Sequence, residues 1–199
     1  MIDHILLDVI GALRGALEEA LLERLAPEER FEVDVFVGDI TFATSYGLPG
    51  ESDPNRVHAD ITLEWSTWSQ AAYRSWSIGE PTLDRPDLVV EVALRLDRLI
   101  TVPDIDALVG AVGPIEPKLS GDLLVRQPVL IERRIEVDGE RCAVEIAFGG
   151  AWRLADPLLE NPSAIEQELS GLARFIASAL VRLADLDLPT VPPRPPLAP

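Results

Sequence analysis

The spacing of apolar residues changes period twice along this chain, and that change dictates which elements it can form. From Asp3 to Leu25 the apolar positions are Ile5, Leu6, Val9, Ile10, Leu13, Leu17, Ala20, Leu21 and Leu25. This three-four spacing predicts an amphipathic helix with one broad stripe, ended by Pro27, which disfavours helical geometry at Ala26. The period then becomes two. Phe31, Val33, Val35 and Val37 alternate with Glu32, Asp34 and Phe36, the pattern of a half-buried strand. Beyond Gly38 the apolar set moves to Ile40 and Phe42, of opposite parity, which predicts a bulge or kink at Gly38.

A second strand carries Val57, Ala59, Ile61, Leu63 and Trp65 on one face and His58, Asp60, Thr62 and Glu64 on the other. Ser66 to Ile78 fits either a turn with a short strand or a helical excursion. Asp87 to Arg98 alternates most cleanly, with Leu88, Val90, Val92, Leu94 and Leu96 on one side. Loops are expected over Tyr46 to Arg56, around Pro81, Asp84 and Pro86, and from Gly113 to Asp122, with a short helix over Asp104 to Val112.

Two further strands flank Asp138-Gly139, a pair suited to a type I′ hairpin turn. In that register Glu136 faces Arg141, Ile135 faces Cys142, Ile131 faces Ile146 and Val129 faces Phe148. Ser163 and Glu166 then form a capping box. It opens a helix striped by Ile165, Leu169, Leu172, Ile176, Leu180 and Leu183.

These elements predict an α+β fold. A mainly antiparallel β-sheet of about five strands has long N- and C-terminal helices packed on one face, in the order α-β-β-β-α-β-β-α, and its charged face toward solvent. Residues 1–188 make one domain. Residues 189–199, dominated by proline, read as an extended polyproline II tail. The element order resembles that of type III secretion chaperone-like folds, which are acidic binding modules, and the resemblance implies a binding role.

Composition narrows the function. The chain has 34 acidic and 17 basic residues, a net charge of −17, which repels nucleic-acid backbones and anionic lipid alike. Neither is expected as a partner, although Arg126, Arg133, Arg134 and Arg141 concentrate some basic charge. A single cysteine among 199 residues makes no internal disulfide. Asp3 and Asp8 precede any basic residue, the wrong polarity for a secretory leader, and no apolar run approaches the roughly 20 residues that span a bilayer. The expected location is cytoplasmic.

Reactive side chains are scarce and badly placed for chemistry. Cys142 falls by parity among apolar neighbours, where cysteine acts as a small hydrophobe. His58 and Asp60 share a strand face, the arrangement of a base and its orienting carboxylate, but also that of any charged solvent face. The two histidines and one cysteine lack metal-ligand spacing. Glu51, Asp53 and Asn55 lack the distant bidentate Glu of a calcium loop, and Lys118 is not in a phosphate-binding loop. No catalytic residue, metal or cofactor is expected.

Two features point instead to protein partners. Trp65, Trp68, Tyr73 and Trp76 lie within twelve residues, and such side chains anchor interfaces disproportionately. The tail Val191 to Pro199 has the composition that docks on aromatic grooves. The expected contact residues are Trp68, Tyr73, Trp76, Arg194 and Leu197. The leading functional expectation is a non-catalytic interaction domain, a subunit or adaptor of a homo- or hetero-oligomeric assembly, phage-tail-like or secretion-linked. The alternatives are an acidic chaperone-like or small-ligand carrier, and a hydrolase using His58 and Asp60.

Overall fold

A computed structural model describes residues 2–21, 28–34, 36–48, 55–80, 84–136 and 139–191. The elements in chain order are α1 (His4–Leu21), β1 (Glu28–Val33), β2 (Ile40–Gly47), β3 (Val57–Trp65), α2 (Thr67–Ser77), β4 (Asp87–Leu99), α3 (Ile105–Val112), β5 (Lys118–Leu119), β6 (Asp122–Leu123), β7 (Val125–Arg126), β8 (Leu130–Glu136), β9 (Gly139–Arg153), α4 (Asp156–Glu160) and α5 (Pro162–Ala184). One seven-stranded antiparallel sheet runs β1-β2-β3-β4-β9-β7, with β8 also paired to β9, and β5 and β6 form a separate small hairpin.

Alternation sorts the sheet into two faces. On the inner face lie Phe42 and Tyr46 of β2, Val57 to Trp65 of β3 at odd positions, Leu88 to Leu96 of β4 at even ones, and Val144, Ile146, Phe148 and Trp152 of β9, all buried. The apolar stripes of α1 and α5 pack on each other and close over this face in one core. The fold class is therefore α+β, with both long helices on one side of the sheet.

Several details depart from the sequence reading. Residues 31–42 are two strands, because Asp34 to Asp39 turns the chain back. The Asp34 N–H donates to the Asp39 carbonyl (2.8 Å) and the Gly38 N–H to the Asp34 carbonyl (2.9 Å). Gly38 sits at φ +84° in that turn, a conformation glycine adopts at little cost. Val35 lies outside the described residues, as do 22–27 at the predicted end of α1. Splitting this strand and adding β7 raises the expected five strands to seven.

The β8–β9 hairpin is offset by two residues. Glu136 pairs with Gly139, Ile135 with Glu140, Arg133 with Cys142 and Ile131 with Val144, so Arg141 opposes Arg134 instead of Glu136. A slip of two leaves every side chain on its own face, so alternation alone does not distinguish the registers. Asp138 lies outside the described residues, and Gly139 takes φ +128°.

Ser163 and Glu166 do not cap α5. The cap is Asn161, whose side-chain oxygen accepts from the Ser163 N–H (3.1 Å), with Pro162 as the first helical residue. This arrangement leaves Ser163 inside the first turn. The ambiguous segment is a helix, α2, with Ser66 as its N-cap. The start of the predicted tail is tied to the end of β4, and residues 192–199 lie outside the described residues. Thr190 bridges Leu99, with Ile100 N–H donating to the Pro189 carbonyl and Val191 N–H to that of Arg98.

Candidate interaction surface

The β1 margin lacks the cover that the centre of the sheet enjoys. Residues 29, 31 and 33 share the inner face with Phe42, yet Phe31 and Val33 remain exposed. Only part of this margin is held down. Arg14 of α1 bridges Glu29 of β1 through two guanidinium nitrogens, Nε (2.6 Å) and Nη2, and lies 5.8 Å from the Phe42 ring centroid. Phe31 tilts against Phe42 at 4.9 Å between centroids.

The β1–β2 turn carries more apolar surface. Phe36 is 98% exposed and Val37 60%. The turn is nonetheless fixed in place. The Asp34 carboxylate accepts N–H bonds from Phe36 (2.8 Å) and Val37 (2.6 Å), and these hold its pKa below the ordinary value. On the other side, Asp39 Oδ1 accepts from the backbone N–H and the hydroxyl of Thr67, the first residue of α2. Negative charge at that helix end complements its dipole. The Val37 carbonyl shares that single hydroxyl proton of Thr67 with Asp39, and Gln70 Nε2 donates to the carbonyls of Gly38 (2.9 Å) and Trp65 (3.2 Å).

This stitching sets Phe36 and Val37 beside the start of α2, where Trp68 is 67% exposed. Trp68 was expected from the aromatic cluster. Phe36 and Val37 were not, because the strand pattern assigned Val37 to a core face. The turn chemistry of Asp34 and Asp39 flanking Gly38 is the sequence signal that would have found them.

The other aromatics do structural work. Trp65 is fully buried, with Nε1 donating to Asp3 Oδ2 (3.0 Å). Tyr73 meets Trp65 edge-on and stacks on Trp76. Trp76 is partly buried and donates to Asp156 Oδ1 (3.1 Å). Of the three aromatic contact residues expected from the sequence, Trp68 is the most exposed. Arg194 and Leu197 lie outside the described residues.

The outer sheet face carries a charge lattice. Arg95 of β4 reaches Glu145 of β9 (3.0 Å), Glu132 of β8 (3.4 Å) and Asp97 (3.8 Å). His58, opposite Arg95 in the ladder, lies between Asp60 and Asp97, each at 3.5 Å. Burial opposes its charged form, but the hydrogen bond to Asp60 and the charges of Asp60 and Asp97 outweigh burial and Arg95, raising its pKa. For Asp60, burial pushes the carboxyl up, and hydrogen bonds from His58 and Ser45 more than compensate, lowering it. His58 and Asp60 do meet, as their shared parity requires, but each ring nitrogen faces a carboxylate. Cys142 is buried on the opposite face, beyond reach of His58. Among the described residues no group of His, Cys, Asp or Glu is arranged to hold a metal ion, and no helix is long and apolar enough to cross a membrane. Of the arginines noted in the sequence, Arg133 pairs with Glu140 and Arg134 with Glu132.

Comparison of the chain with protein-family models, curated proteins and solved structures finds no match.

Proposed function

We propose that this chain is a non-catalytic protein-interaction domain, a cytoplasmic subunit or adaptor of a larger multi-chain assembly, engaging protein partners rather than nucleic acid or membrane. The observation that supports this most is the apolar surface at the β1–β2 turn. Phe36 and Val37 project from a turn braced by Asp34, Asp39, Thr67 and Gln70, beside Trp68 at the start of α2. Large side chains held outward on an ordered frame lose little entropy on docking, and exposed aromatics of this kind act as anchors. The charge lattice around His58 favours the same reading over a hydrolase, since both ring nitrogens are already committed to carboxylates.

Native purification of the full chain with mass analysis of co-eluting protein tests the proposal. The double variant Phe36→Ser, Trp68→Ser should lose the companion while its unfolding midpoint moves by no more than about 0.5 kcal/mol in stability. An unchanged companion in that variant, or a chain that elutes with none, defeats it.

A further inference from the structure

Resting on that reading, we infer that the free edge of β1 is a homodimer seam, where a second copy of this chain adds its own β1 antiparallel about a two-fold axis through Phe31. Three observations support this.

First, the edge is open. β1 ends the strand order, and among the described residues nothing pairs with its outer side. The Asp34 N–H, just past the end of β1, points toward β2 and donates to the Asp39 carbonyl. Alternation along the β1–β2 ladder aims the N–H and C=O groups of residues 30 and 32 at β2, and those of 29, 31 and 33 outward.

Second, the outward groups match their own two-fold image. With Phe31 opposite Phe31 of the second copy, residue 31 pairs with 31 and residue 29 with 33, all in hydrogen-bonding positions. The same register keeps the inner faces of both sheets on one side, so both helical layers stay together and neither core face is turned to water. A one-residue slip would turn one copy over.

Third, charge selects this register. Arg30 and Glu32 share the outer face, are mostly exposed and lie 2.9 Å apart within one chain. About the Phe31 axis each Arg30 opposes Glu32 of the second copy, in the non-hydrogen-bonded positions where side chains approach most closely. Centring the axis on Arg30 would oppose arginine to arginine, and centring it on Glu32 would oppose two glutamates. The marginal pair, residues 28 and 34, sets acid against acid at the ends of the ladder. Natural edges are often blunted by charge, but here Arg30 and Glu32 alternate in an order that is self-complementary about Phe31. The β8 margin is not built this way. Its adjacent Arg133 and Arg134 meet their own images if the axis passes through either.

The test is the solution mass of the full chain against concentration, by sedimentation or light scattering. Wild type should interconvert between monomer and dimer. Arg30→Glu alone and Glu32→Arg alone should each raise the dissociation constant about tenfold or more, since attraction becomes repulsion at two symmetric sites. The double variant Arg30→Glu, Glu32→Arg should restore it. Val33→Pro removes an outward N–H that β2 does not use and should give a folded monomer, folding being read from its circular dichroism. A chain lacking residues 192–199 should still dimerise.

A wild type that stays monomeric into the millimolar range overturns the seam. So does a double swap that fails to rescue, or dimerisation lost with the tail. If wild type is monomeric yet co-elutes with another protein through Phe36 and Trp68, the seam fails and the interaction reading stands. If it dimerises by this register but keeps its companion in the Phe36→Ser, Trp68→Ser variant, the seam stands and the anchor assignment fails.

Discussion

The centre of the sheet and its β1 margin obey the same alternation and end in opposite conditions. In β3, every second residue from Val57 to Trp65 is buried under the helices. In β1, Phe31 and Val33 occupy equivalent inner-face positions and stay exposed. The strand pattern is thus a statement about which side a residue takes. Whether that side is dry depends on the layer above it. At the centre, packing fixes the structure. At the margin, hydrogen bonds and the Arg14–Glu29 bridge hold it while leaving apolar surface open.

Substitutions should divide along that line. The largest effect belongs to the centre. Trp65→Ala empties a fully buried site and removes the indole N–H bond to Asp3, so denaturant unfolding should show a loss of about 3–5 kcal/mol. A loss under about 1 kcal/mol would mean the core does not depend on it. At the margin, Gly38→Val places a branched residue at φ +84° and should cost about 1–2 kcal/mol through backbone strain. An added Cβ finds only an ordinary contact with Thr67. An unchanged midpoint would show that the turn is not held in this conformation.

Smaller effects sharpen the comparison. Thr44 is on the inner face of β2, and its buried hydroxyl has no hydrogen-bond partner. Thr44→Val keeps the shape and removes the unmet group, so stability should rise by about 1 kcal/mol. A fall would mean the hydroxyl is satisfied in solution.

The smallest effect is the pH response of the outer face. His58, facing Asp60, Asp97 and Arg95, has a folded pKa raised above 6.5. Its contribution is therefore fully present below that value and fades as pH rises through the raised one. Asp60, lowered from 3.8, contributes above that value and loses its contribution as pH falls through the lowered one. Midpoints measured across the neutral range should decline gently toward alkaline pH, and His58→Gln should flatten that decline. An equal slope in the variant would assign the response to other groups.

Much of this was legible in the residues. Period gave α1, β3, β4, α5 and the one-sided helix layer, because burial on a single face leaves an unmistakable spacing. It did not separate β1 from β2, because the apolar alternation in the sequence runs on to Val37, which lies in a turn. The hairpin offset was hidden for a related reason: parity repeats every two residues, so alternation does not choose between repeats. The cap of α5 was missed by two residues, since Asn161-Pro162 and Ser163 both offer plausible starts. Of the exposed apolar residues around the β1–β2 turn, Trp68 was singled out from the sequence and Phe36 was not. Exposure of an apolar side chain reflects missing cover, which alternation does not record; only the turn residues around Gly38 hint at it.

Cys142 gives the molecule a built-in clock. This lone thiol is 4% exposed, on β9 between Arg133 of β8 and Leu99 at the end of β4. A sulfhydryl reagent meets it only when that corner parts, so its labelling rate in native buffer counts local breathing events. No engineered probe is needed to ask whether docking at the distant β1 seam quiets the far end of the sheet.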